Sequence, residues 1–189
     1  MKKHIMLAWI VAALSWALVA PAYGDLSVPK NKQTVLGLYV TAREAFTRWH
    51  TDKARIKILD VRSPGEYIFV GHAPMAVNIP IRFLGPRVDA GTNRPVMPLN
   101  ENFVADVQKR FKPADTLLVM CRSGGRSAAA VDMLAKAGYK NVYNIVDGFE
   151  GDALKLPGSY NNGRRLVNGW KNSGAPWTYR LDPQLTYNR

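Results

Sequence analysis

The sequence predicts an α/β domain: a central, mainly parallel sheet flanked by helices in a three-layer α/β/α arrangement. Three observations predict it. Strand-like and helix-like patterns alternate along the chain, as in domains built from βα units. The apolar run TLLVM at residues 116–120 lacks the alternation of a half-exposed strand, which suits a strand covered on both faces. That run ends at the chain's only cysteine, Cys121, and a glycine-containing loop leads from it into a helical pattern. In such sheets ligands bind outside the carboxyl ends of the strands.

The elements follow in order. Residues 1–24 carry Lys2 and Lys3, an apolar run from Ile5 to Ala20 and small residues suited to cleavage after Ala22 or Gly24. This is the layout of a secretory signal, too short for a comfortable membrane span, so the mature chain is expected in the periplasm or secreted. Residues 25–189 then form one domain. Residues 25–38 read as an extended lead-in. Thr41 to Glu44 match a capping box, with Ala42, Ala45, Phe46 and Trp49 at helical spacing. RIKILDV at 55–61 reads as a strand closed by Ser63-Pro64-Gly65, and residues 76–79 as a short strand ended by Pro80. Three prolines and two glycines make residues 82–98 a surface excursion. A helix is predicted over 100–111, with Phe103, Val104 and Val107 inward. After the strand at 116–120, a further helix spans 127–137 with Gly138 as its stop, and 141–146 is a last strand.

Composition narrows the function classes. The chain has 189 residues and is 47% apolar, enough for one folded core. Its formal charge of +12 falls to +10 once Lys2 and Lys3 leave with the signal. The basic residues are scattered and the chain is exported, which argues against nucleic acid as partner and leaves small anions as candidates. A single cysteine cannot form a disulfide within its own chain, so in an oxidising compartment it is either inert and buried or a thiol kept for use.

The loop CRSGGRS supports use. Gly124 and Gly125 permit the positive φ angles of a tight turn, which brings several backbone N–H groups together beside a helix start and makes an anion cradle. Arg122 and Arg126 add positive charge, an environment that favours a thiolate. Cysteine phosphatases use a similar cradle with five residues between cysteine and arginine. Here Cys121 and Arg126 are separated by four, and the next position is Ser127. The shorter loop suits a sulfur atom carried on the cysteine, leaving phosphatase or arsenate reductase chemistry as the weaker alternative.

At this point the sequence resembles the rhodanese family. The resemblance covers LDVRSPGEYIFVGHAPMAVNIP at 59–80, CRSGGRSAAA at 121–130, AGYKNVYNIVDGFEG at 137–151 and NGWKNSGAPW at 168–177. It implies that Cys121 takes a sulfane sulfur from a donor such as thiosulfate, releases sulfite and passes the sulfur from a persulfide to cyanide or a thiol. It further implies that the amides of Arg122, Ser123, Gly124, Gly125, Arg126 and Ser127 hold the persulfide, that Arg122 and Arg126 orient the anionic donor, and that neither metal nor organic cofactor is needed. Asp60, Arg62, His72, Trp170 and Trp177 read as structural, with Asp60 and Arg62 pairing with each other or with Glu66. The chain departs from the family pattern in an insertion at 152–167, which with the 82–98 excursion could form a lid or a docking surface. Arg164 and Arg165 would suit an acidic protein acceptor, so a sulfur carrier or redox-partner module stands as the alternative to an enzyme acting on free donors.

Overall fold

In the computed structural model residues 27–188 are described; the predicted signal at 1–24 lies outside them. The lead-in is not simply extended. It contains a 3-10 turn, Lys30–Lys32, docked on the sheet's longest helix, where Val35 N donates to Asp132 Oδ1 at 2.8 Å. Strand β1 (Tyr39–Val40) and helix α1 (Ala42–Thr51) follow, and Thr41 and Glu44 form the predicted capping box. Strand β2 (Ile56–Asp60) leads into helix α2 (Pro64–Phe69), in place of the expected turn. Ser63 and Glu66 build a second capping box there, and Pro64 enters at the first helical position, where its missing N–H costs nothing. Strand β3 (Val77–Asn78) precedes the excursion, which folds into an exposed hairpin of β4 (Val88–Asp89) and β5 (Arg94–Pro95). Helix α3 (Phe103–Gln108), strand β6 (Thr116–Met120), helix α4 (Gly125–Lys136) and strand β7 (Val142–Ile145) complete the domain, with a 3-10 turn at Trp170–Asn172.

The five-stranded sheet runs in the order β1-β7-β6-β2-β3, and every pairing in it is parallel. β6 is the central strand, as its unbroken apolar run predicts. Leu117 and Val119 join α3 and α4 in one core, with Val131 and Leu134, while Leu118 and Met120 join α1 and Trp170 in the other. Alternate residues of TLLVM thus feed two separate cores. No helix among the described residues is long and apolar enough to cross a membrane.

Two charges sit inside this fold. Asp60 and Arg62 are both fully buried, paired at 2.6 Å, and Arg62 also donates to Gly71 O at 2.8 Å while its guanidinium lies over the Phe149 ring. Of the two expected partners, Arg62 therefore takes Asp60, and Glu66 is left for another cation. His72 is structural: its ring stacks on Tyr67 at 3.8 Å and its nitrogens meet the carbonyls of Tyr67 and Arg180. Asp60→Ala strands a buried guanidinium charge, and we expect it to cost about 3–5 kcal/mol in urea unfolding. A loss well under 1 kcal/mol would show that the pair contributes nothing to the fold.

Candidate active site

β6 delivers Cys121 to the carboxyl end of the sheet, in its middle, with 2% of its surface exposed. The loop turns at once. Phe149 N donates to Cys121 O at 2.7 Å, and Glu150 N donates to Arg122 O at 2.9 Å, so the turn after β7 pins the outer side of the loop. Gly148 and Gly124 make this approach possible. A side chain on Gly148 would meet Cys121 O at 2.5 Å; one on Gly124, where φ is +93°, would overlap Val146 O. Gly124 also serves as N-cap of α4, whose first residue, Gly125, lies two residues ahead of the predicted helix start.

Among the described residues, the backbone N–H groups of residues 122–127 have no protein acceptor. Six consecutive free donors beside a cysteine, at the start of a twelve-residue helix, form a concave site of positive potential. Ser127 is buried with its Oγ 3.4 Å from Cys121 Sγ and 2.6 Å from Asn144 Oδ1. Asn144 is oriented by its other end: Nδ2 donates to Lys32 O and Gly124 O. Its Oδ1 must then face Ser127, and the single hydroxyl hydrogen goes to that shorter contact, leaving oxygen lone pairs toward the sulfur. Asn144 belongs to no motif in the sequence; its one signal is that it is a polar residue inside the largely buried strand β7.

The two loop arginines diverge. Arg122 is exposed at the mouth. Arg126, expected to orient a donor, spends both terminal nitrogens on Glu66, at 2.6 and 2.7 Å. This bidentate pair ties the start of α4 to the start of α2. Burial pushes the Glu66 carboxyl up, but the hydrogen bonds and charge of Arg126, with help from Ser63, outweigh it and hold the group at about 2. Burial likewise opposes the charge on Arg126, and Glu66 more than reverses that effect. Ser123 is half-buried at the loop's outer corner.

The insertion at 152–167 closes on itself through an antiparallel bridge between Ala153 and Arg165, and a Lys32–Asp152 ion pair at 3.0 Å anchors it to the 3-10 turn of the lead-in. Arg165, offered with Arg164 as a contact for an acidic partner, is half-buried. Its Nη1 donates to Gly151 O, and it lies close enough to the loop for the charges of Arg122 and Cys121 to act on it. Burial first, and Arg122 second, lower its basicity. Arg164 does face outward, over the Tyr160 ring.

A parallel α/β domain with a cysteine heading a free-amide loop at the carboxyl end of its central strand defines a class of sulfur- or anion-handling proteins. Within that class the rhodanese-like domain model matches residues 44–154, and the chain belongs to that family. Arabidopsis thaliana "Thiosulfate sulfurtransferase 16, chloroplastic" is 37% identical over 93 residues, covering 49% of this chain and 70% of that protein. "Uncharacterized protein RP600" of Rickettsia prowazekii is 31% identical over 122 residues, 65% of this chain and 82% of that one. Among solved structures, Rv0390 from M. tuberculosis superposes with a TM-score of 0.59 at 26% identity, covering 75% of this chain and 96% of that chain.

The Glu66–Arg126 pair makes a pH prediction. A carboxyl held at about 2 in the folded state, against 4.5 otherwise, adds stability that is complete above 4.5 and fades as pH falls toward 2. The stability gap between wild type and Glu66→Gln should therefore be largest near neutral pH, at up to about 3 kcal/mol, and shrink across that window. Urea titrations at several pH values check it, and a gap that stays constant would rule out an ionic contribution.

Proposed function

We propose that the chain is an exported sulfurtransferase, periplasmic or secreted, that carries a sulfane sulfur on Cys121. The observation that carries this reading is the run of six acceptor-free amides, residues 122–127, around a cysteine whose neighbouring arginine is already committed to Glu66. The family membership and the sulfurtransferase names among its relatives support it.

In this reading Cys121 Sγ, as thiolate, attacks the outer sulfur of thiosulfate. An S–S bond forms to Sγ, the bond to the sulfonate sulfur breaks, and its electron pair leaves on sulfite. The persulfide keeps the negative charge, and the amides of residues 122–127 stabilise it where it develops. Ser127 supplies a further donor: swinging its hydroxyl hydrogen from Asn144 Oδ1 to the sulfur turns an acceptor for S–H into a donor for a thiolate or persulfide. Arg122, exposed at the mouth, guides the incoming anion. A thiol or cyanide then removes the outer sulfur and regenerates Cys121, which implies ping-pong kinetics.

Incubation of the reduced protein with thiosulfate is expected to add about 32 mass units, one sulfur atom on the nucleophile, and cyanide to remove them. Cys121→Ser should show no gain. A wild-type protein that takes no sulfur from thiosulfate or any other persulfide donor would sink the reading.

A further inference from the structure

A band of exposed apolar side chains and cations runs beside the mouth of the Cys121 loop, assembled from four separate segments. Phe69, at the end of α2, is 83% exposed, and the next carbonyl, that of Val70, accepts from Lys171 Nζ at 3.1 Å. The Lys171 ammonium stands over the Trp177 ring at 4.2 Å and reaches the Tyr179 ring at 5.8 Å, and those two rings meet edge to face. From the other side the 152–167 insertion adds Arg164 and Leu166, which wall a cavity of about 580 Å³ together with Val70, Glu150 and Lys171. Arg164 in turn carries its guanidinium over Tyr160, a residue 90% exposed. Leu166, Val167, Trp177 and Tyr179 are exposed as well. Glu150 places the band at the mouth, because its N–H donates to Arg122 O at 2.9 Å.

A contiguous exposed patch of this kind marks a surface that meets another body, and its make-up says which. Protein interfaces are depleted of lysine and need a partner of matching shape. Here cations are interleaved with aromatic rings, over a surface broken into four segments. That mixture suits the headgroup level of a bilayer, where rings and methyl groups enter the acyl boundary while ammonium and guanidinium groups stay with the phosphates. A fluid surface also requires no complementary shape. Glu150 is the one acid in the cavity wall, and the chain's formal charge is +12, so the lipid that complements the band is anionic. We propose that this band docks the protein peripherally on a membrane surface containing anionic phospholipid. Phe69, Leu166 and Trp177 then lie at the acyl boundary, and Arg164 and Lys171 against the phosphates. The docking is non-covalent, does not rest on the sulfurtransferase reading, and holds the mouth of the Cys121 loop next to the lipid.

Sedimentation of the mature protein, without residues 1–24, with vesicles of equal parts phosphatidylcholine and phosphatidylglycerol tests the surface. Binding is expected, weakening as salt rises and largely lost on phosphatidylcholine alone. Phe69→Ser leaves the net charge unaltered and is expected to lower the affinity at least about fivefold. Val35→Ser removes an equally exposed side chain from the opposite side of the sheet, where the adjacent Leu36 packs on the α3–α4 core, and is expected to change nothing. Arg164→Glu is expected to cost at least about fivefold, and Lys136→Glu, the same change of charge at the end of α4, less than about twofold. Circular dichroism checks that each variant is folded. Absence of binding to the anionic vesicles overturns the proposal and assigns the band to a protein partner. Binding that survives Phe69→Ser, or that falls equally with Arg164→Glu and Lys136→Glu, overturns it too, since overall charge rather than the band would then bring the protein to lipid.

Discussion

The close approach of two turns at the carboxyl end of the sheet governs everything around Cys121. The turn after β7 donates three backbone N–H groups, from Phe149, Glu150 and Gly151, to the carbonyls of Cys121 and Arg122. Those bonds tie the carbonyls of Cys121 and Arg122, while the amides of residues 122–127 have no protein acceptor among the described residues. An anion cradle is the geometric result of where the carbonyls are tied. Gly124 and Gly148 are the only residue type that lets the two backbones meet so closely, so the cradle depends on the absence of two side chains as much as on any group present.

Charge is distributed with the same economy. The interior ion pairs answer themselves: Asp60 with Arg62, and Glu66 with Arg126. Arg126 therefore stiffens the loop by fastening α4 to α2, and the task of meeting an anion moves outward to Arg122. A buried cation without a partner would be costly, whereas cations at a mouth remain hydrated and available. The arrangement separates the charges that build the cradle from those that serve it.

How much of this was legible depended on range. TLLVM and the Thr41 capping box carry their meaning locally, and both behave as read. The Ser63-Pro64-Gly65-Glu66 segment carries the same box signal with a proline at the first helical position, but its Pro-Gly pair also signals a turn, and only the structure shows that the box prevails to start α2. Cys121 and its glycines stood out because their loop chemistry is compressed into seven residues. The Glu66–Arg126 pair spans 60 positions, and spacing alone gives no means of choosing Glu66 over Asp60 as the partner. Asn144 acts through Ser127 from a neighbouring strand, 17 residues on, and Arg165 reaches the loop only because the insertion folds back on itself. Local propensity specified the elements; the contacts that tune the site belong to the tertiary fold.

The burial of Cys121 adds a final constraint. With 2% exposure, the sulfur stands below the rim of its loop, and a rigid protein surface laid across the mouth would not reach it. A small donor entering the mouth meets no such obstacle, and neither does a thiol extended from a flexible tail. In the proposed loaded form the reactive atom stands one S–S bond, about 2 Å, beyond Sγ. The unloaded thiol, alone in a chain with no second cysteine to shield it by a disulfide, has burial as its protection. Under the proposed export to an oxidising compartment, burial of the lone thiol would favour its survival over loss to oxidation.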